Sequence, residues 1–260
     1  MTALLAPDER PVFDVSEGGG PFVVVCEHAS NRLPRALGRL GLAPGDLVRH
    51  IAWDPGAQEL ATHIAEATAS ALVLQRYSRL AIDCNRDPAV ADAVSVLSET
   101  TPIPGNDGLA PEARQARIDE VWAPFHDALA AVLDRRAAVG RPTALVTVHS
   151  FTPVFRGVSR PWHVGIISTD DHHLADAMLA VLRRDPSLVV GDNEPYKGKD
   201  NVDYTIRRHG RDRGLPHVMI EVRNDLIASP ADIAAWGERL TAALVESVDG
   251  LGAGKAGAYA

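Results

Sequence analysis

PFVVVCEHAS (21–30) is the stretch from which the fold can be read. Its apolar run stops abruptly at Glu27-His28, the pattern of a buried strand running into a loop. Working outward, ALVLQRYS (71–78), RLAIDCNR (79–86), TALVTVHSF (143–151), WHVGIIST (162–169), LVVGDNEPY (188–196) and VMIEVRND (218–225) read as further strands. Helical spacing separates them. Leu60, Ile64 and Ala67 mark a helix in 56–70, and Ile118, Val121, Trp122, Phe125, Leu129 and Leu133 form a stripe along about 111–138. DDHHLADAMLAVLRR (170–184) and Ser229–Val248 complete the set. Strands interleaved with helices predict an α/β protein, a three-layer sandwich with helices on both faces of a mixed central sheet. One domain over residues 1–260 is expected, with 1–20 an irregular arm, 87–110 a long surface loop and 250–260 a mobile tail.

Composition narrows the function. The 260 residues carry 26 Lys+Arg against 34 Asp+Glu, a net charge of −8. That balance argues against a nucleic-acid or anionic-membrane partner, although a local cationic pocket is compatible with it. No run of 18 apolar residues predicts a membrane span, and the N-terminus lacks the pattern of a secretory signal. A cytoplasmic location is the default expectation. Cys26 and Cys84 lie in apolar runs, so reduced core thiols are expected rather than a nucleophile.

α/β sheets place ligands beyond the carboxyl ends of strands. Three strand ends there carry chemistry: Glu27-His28, His149-Ser150 and Glu221-Val222-Arg223. If they are neighbours, two imidazoles and a carboxylate converge. Two His and one oxygen ligand, with one position open, suit catalytic zinc. Glu221 inside Val-Met-Ile-Glu-Val is costly to bury unless paired or tuned, and Arg223 two residues on shares its side of the strand. A structural Glu221–Arg223 ion pair is the plain alternative. His50, His63, His126 and His163 have no supporting pattern, while His172 and His173 open an amphipathic helix. His209 lies in the polar stretch TIRRHGRDRG (205–214), which suits a segment closing over a site as well as an exposed loop.

CEHASNRLP (26–34), HIAWDPGAQELA (50–61), YSRLAIDCNRDP (77–88), TVHSFTP (147–153), NEPY (193–196) and PHVMIEVRNDL (216–226) together resemble the N-formylglutamate amidohydrolases, over about residues 20–245. More distantly, the chain resembles the zinc carboxypeptidases. The resemblance implies a phosphorylase/hydrolase-like fold, Zn2+ or another divalent transition metal, and hydrolysis of the amide of a small N-acyl amino acid. It carries with it an association with histidine breakdown. By the same resemblance His28 and His149 are metal ligands, Glu221 is the general base, and Asn85 and Arg86 clamp the substrate's α-carboxylate.

One position departs from the carboxypeptidase pattern. A Glu is expected three residues after the first His, and Asn31 stands there. Asp54 is the expected replacement ligand, although an Asp beside Pro55 also suits a turn or helix cap. Glu27 is the alternative, but adjacent strand residues point to opposite faces, so it converges with His28 only if the strand has already ended. Arg223, Arg207 or Arg208 are further candidates for the substrate's carboxylates, and Tyr196, Tyr204 and His209 for closing the pocket. The same pattern also fits an amidohydrolase of other acyl specificity or a non-catalytic carboxylate-binding relative. Oligomeric state is not readable from the sequence.

Overall fold

The computed structural model describes residues 3–196 and 203–256. Among them, seven strands build the main sheet: β1 (Phe13–Ser16), β2 (Phe22–Cys26), β3 (Ala71–Gln75), β4 (Ala144–Phe151), β5 (Val164–Ile167), β6 (Val190–Asp192) and β7 (His217–Arg223). Their spatial order is β1-β3-β2-β4-β7-β5-β6. The inner strands β3, β2, β4 and β7 run parallel. At the flanks, β1 is antiparallel to β3 and β5 is antiparallel to β7. The helices are α1 (Ala57–Ala67), α2 (Pro111–Arg117), α3 (Ala123–Ala138), α4 (His173–Leu182) and α5 (Pro230–Ala256).

Strand alternation divides the buried residues between two cores. Phe22, Val24, Val146, Val148, Val218 and Ile220 face α1, α4 and α5, where Leu60, Ile64, Met178, Leu240 and Leu244 meet them. Val23, Val25, Val73 and Leu145 face the other way, onto Phe125, Leu129 and Val132 of α3. Both faces of β2 and β4 are therefore covered, which is why their sequences are continuously apolar rather than alternating. Each such side chain contributes about 1.5–3 kcal/mol by leaving water. The result is the α/β sandwich with a mixed central sheet that the sequence predicts.

Several expectations are corrected. Residues 79–86 form no strand. The segment is a loop with its apolar residues turned inward, and the burial of Leu80, Ile82 and Cys84 gives a loop the hydropathy of a strand. The arm at 1–20 contains β1, and Leu4, Leu5 and Val12 are buried beneath it. The long helix is interrupted at Ile118–Trp122 by a π-helical turn between α2 and α3. The closing helix runs to Ala256, into the tail expected to be mobile, and 257–260 lie outside the described residues. Among the described residues no helix is long and apolar enough to cross a membrane.

Candidate metal centre and its cleft

The parallel strands deliver their carboxyl ends to one edge of the sheet. In the β7–β4 ladder Glu221 stands opposite His149. Both share the face of Leu145, on the α3 side. β2 pairs with β4 as far as Val25 opposite Thr147, so two further residues set Glu27 opposite His149. β2 ends at Cys26, and the turn that follows swings His28 across the strand ends.

Asp54 arrives by a loop. Its N–H donates to the His28 carbonyl at 3.0 Å, which pins the two residues together. The Ser150 N–H donates to Asp54 Oδ2 at 3.3 Å, and Ser150 Oγ donates to the Pro55 carbonyl at 2.8 Å. Gly56 then turns the chain into α1 with φ +80°, and a Cβ there would lie 2.6 Å from the Ile227 carbonyl. No other residue fits that corner without strain.

Three atoms converge. His149 Nδ1 lies 2.9 Å from Asp54 Oδ2, His28 Nδ1 lies 3.3 Å from the same oxygen, and the two Nδ1 atoms are 3.2 Å apart. A tetrahedral ion with bonds of about 2.0–2.1 Å has ligands about 3.3 Å apart, so the spacing matches the edges of such a shell. The far side of each imidazole meets a carboxylate. His28 Nε2 donates to Asp83 Oδ1 at 2.7 Å. His149 Nε2 lies 3.1 Å from Glu27 Oε2, an ionic contact out of line for a hydrogen bond. Carboxylates behind metal-binding imidazoles fix the tautomer and raise ligand basicity.

The electrostatics agree with the spacing. Burial opposes the charge on Asp83, but Arg79 and His28 hold its carboxyl well below the usual range. An ionised Asp83 only accepts, so Nε2 of His28 carries a proton and Nδ1 is the atom left to serve as a ligand in the neutral ring. Burial alone would lower His149, yet Glu27 and Asp54 raise it well above the ordinary imidazole range. His28 is raised as well, since Asp83 and Asp54 outweigh burial and Arg79. Asp54 is lowered, because His28 and His149 overcome its burial. The donor set is thus arranged around positive charge, and it fits a divalent cation.

Glu221 faces the same small cavity, of about 70 Å³, which His28, Asp54 and His149 also line. Its Oε2 is buried without a hydrogen-bond partner among the described residues, and burial pushes its carboxyl up to about 8. Asn85, Arg86, Tyr196 and Asp203 are also part of its wall. Gly165 pairs with Glu221 across β5–β7, and any Cβ there would collide with the Glu194 carbonyl. The missing side chain lets the segment bearing Tyr196 cross β5. A wider cavity of about 470 Å³ opens outward, sharing Asp54, Arg79, Asp83, Arg86, Ser150 and Tyr196 with the inner one.

His28, Asp54, His149, Glu221, Asn85, Arg86 and Tyr196 are therefore brought together. The other expected site residues are not. Arg223 turns away, with Nε donating to Asp225 Oδ1 at 2.8 Å, and lines neither cavity. It leaves Glu221 unpaired, so the structural Glu221–Arg223 ion pair does not form among the described residues. His209 is buried behind the wall, with Nε2 3.0 Å from His126 Nδ1, so it closes nothing. Tyr204 packs edge-on against Trp122 and His126, and Arg207 and Arg208 line neither cavity. Cys26 and Cys84 are buried and their thiols are pushed up by burial, consistent with inert core residues.

Sequence reasoning missed Asp83, Arg79, Asp203 and Arg160. Asp83 carries the signal that drew attention to Glu221, an acid enclosed by apolar neighbours (Ala81-Ile82-Asp83-Cys84). Reading 79–86 as a strand concealed it. Asn85, expected as a substrate contact, also supports the wall structurally. Its Oδ1 accepts from the Thr205 N–H at 3.2 Å and its carbonyl from the Tyr204 N–H at 3.2 Å. These bonds hold Asp203 at the cavity, where burial pushes its carboxyl up to about 6.

Comparison with known proteins gives a consistent picture. Residues 20–228 match the family model of N-formylglutamate amidohydrolase. A gene product of Agrobacterium tumefaciens of known crystal structure is 41% identical, over 95% of this chain and 99% of that one, with a TM-score of 0.92. The N-formylglutamate amidohydrolase of Ralstonia eutropha is 20% identical, over 90% of this chain and 96% of that one, with a TM-score of 0.66, a likeness of fold. No curated protein sequence matches significantly.

Proposed function

The chain belongs to the N-formylglutamate amidohydrolase family, and on that premise we propose that it is a zinc-dependent amidohydrolase releasing formate from an N-formyl amino acid, N-formyl-L-glutamate foremost. The observation that carries the reading is the convergence of His28 Nδ1, His149 Nδ1 and Asp54 Oδ2 beside the buried carboxyl of Glu221. His28, His149 and Asp54 would hold the ion. When bound, a divalent ion supplies a Lewis acid that polarises an amide carbonyl and acidifies water.

The protein's own groups do the rest. Glu221 Oε2, which has no hydrogen-bond partner among the described residues, takes a proton from the attacking water. As the amide C–N bond breaks, Glu221 returns that proton to the departing nitrogen, giving formate and the free amino acid. Arg86 takes the α-carboxylate, since guanidinium and carboxylate match as two parallel hydrogen bonds. The side-chain N–H of Asn85 is a second donor beside it. Burial and then Glu221 push the Tyr196 hydroxyl up to about 12, so it remains a donor at neutral pH.

The test is formate release by zinc-loaded protein from N-formyl-L-glutamate, alongside N-acetyl and N-succinyl analogues. Activity on the formyl substrate, abolished by chelation and restored by zinc, is expected. Equal turnover of the N-acetyl compound would remove the formyl preference. Stoichiometric zinc with no hydrolysis of any N-acyl amino acid would contradict the enzymatic reading.

A further inference from the structure

Four arginines line the outer cavity: Arg79, Arg86, Arg156 and Arg160. Arg79 is paired with Asp54 and Asp83, at 3.5 and 2.7 Å. Arg86 is paired with Asp83 and Asp92, at 3.4 and 3.1 Å. Arg156 is exposed on the hairpin of Val154–Phe155 with Val158–Ser159, where water solvates it. Arg160 is different. It is 9% exposed, and no carboxylate among the described residues pairs with it.

The surroundings of Arg160 are aromatic. Its guanidinium lies 4.5 Å from the Phe155 ring centre, 5.0 Å from that of Tyr196 and 5.9 Å from that of Phe151. Nη1 donates to the Tyr196 hydroxyl at 3.3 Å, and the Arg160 N–H donates to the Pro153 carbonyl at 2.8 Å. Ring faces offset part of the cost of burying a cation, but they do not replace a counter-charge. The guanidinium fork is pre-set for a carboxylate, and this one opens on a cavity.

We infer that Arg160 determines specificity by taking the side-chain carboxylate of an acidic substrate, an inference that rests on the proposed amidohydrolase reading. The order of the two cavities gives the assignment. The scissile amide belongs at the triad, and the α-carboxylate is attached one carbon from its nitrogen. Arg86 lines both cavities, which assigns it the nearer group. Arg160 lines the outer cavity alone and meets the carboxylate farther along the molecule. Tyr196 lines both cavities and is bonded to Arg160, so it joins the two anchors. A dicarboxylate fills both, whereas a neutral side chain leaves the buried guanidinium without a counter-charge.

Zinc-loaded wild type, Arg160→Met and Arg160→Lys test this with two readouts. The first is kcat/KM on N-formyl-L-glutamate and N-formyl-L-glutamine, which are near-isosteric. The second is calorimetric binding of L-glutamate and L-glutamine. Arg160→Met is expected to lower kcat/KM on the glutamate substrate by on the order of 100-fold, with little change on the glutamine substrate. Arg160→Lys should fall between, which separates a charge requirement from damage to the aromatic cage. If Arg160→Met lowers both substrates alike, or keeps the preference for glutamate, the inference is overturned while the hydrolase reading stands. If wild type releases no formate but binds L-glutamate over L-glutamine in an Arg160-dependent way, the subsite stands and the reaction assignment fails. If the wild type shows no turnover and no Arg160-dependent binding, the inference is overturned.

Discussion

The protein buries two pairs of imidazoles in opposite electrostatic settings. His28 and His149 meet edge to face with ring centres 4.9 Å apart, and His126 and His209 stack with centres 5.2 Å apart. All four side chains are buried. Carboxylates stand behind and between the first pair, and both pKa values rise. The second pair has a carbonyl instead. His126 Nε2 donates to Cys84 O at 2.8 Å, so its Nδ1 accepts from His209 Nε2. Burial pushes His126 down to about 4, and burial with the neighbouring His126 pushes His209 down to about 3. The same residue type at the same depth is thus prepared for a cation in one place and kept neutral in the other, and the partners decide which. The neutral pair ties the segment Ile206–Gly210 to α3 and to the loop bearing Asp83.

The comparison breaks first at the ligands. His149→Ala should bring turnover to background and leave dialysed protein without stoichiometric metal. His126→Gln should retain zinc and lose about 1–3 kcal/mol of stability, measured by denaturant unfolding. Zinc lost equally from both variants would erase the distinction. Glu221→Gln should keep the metal and lower kcat by about 10²–10⁴-fold, since a proton carrier is removed and no ligand is touched. Atomic absorption and steady-state kinetics on the same preparation check both halves.

Asp83→Asn probes the support behind His28. Zinc affinity should weaken by about 10–100-fold in a competition titration, while fold and oligomeric state are unchanged. An unchanged affinity would make Asp83 a structural acid only.

The pH dependence separates the two regions further. In the proposed mechanism Glu221 is the base, so activity should be lost as pH falls and its carboxyl is protonated. Burial sets that pKa at about 8 without an ion, and a bound dication favours the ionised form. The acid limb of kcat/KM should therefore have an apparent pKa below 8, and a limb above 8 would contradict the role. The smallest effect concerns stability. His126 and His209 have depressed native pKa values, so the unfolded chain binds protons first as pH falls. Their stability contribution is present above about pH 6.5 and is lost toward pH 4 and 3, each with a slope of up to about 1.4 kcal/mol per pH unit. Removing His126 should flatten that slope in acid unfolding curves.

The convergence at the candidate site was legible wherever an apolar run stopped at a polar residue. His28, His149 and Glu221 share that signature because parallel inner strands must be apolar up to the edge where they meet ligand. Asp54 was legible through its motif and not from periodicity, since a loop brings it in. Asp83 and Arg79 were obscured because a buried loop has the hydropathy of a strand. Arg160 gave no signal at all: it follows the short hairpin strand Val158–Ser159, and its burial arises from Phe151 and Phe155 nearby in the chain together with the distant Tyr196. Arg223 was misjudged because strand alternation fixes Cα direction but not where a long side chain ends; beyond the strand it turns to Asp225.

Anomalous diffraction at the zinc edge from zinc-loaded crystals tests the central claim most directly. The account predicts one strong peak within about 2.0–2.2 Å of His28 Nδ1, His149 Nδ1 and Asp54 Oδ2. A zinc peak ligated through other atoms, or none between these three side chains, would contradict it.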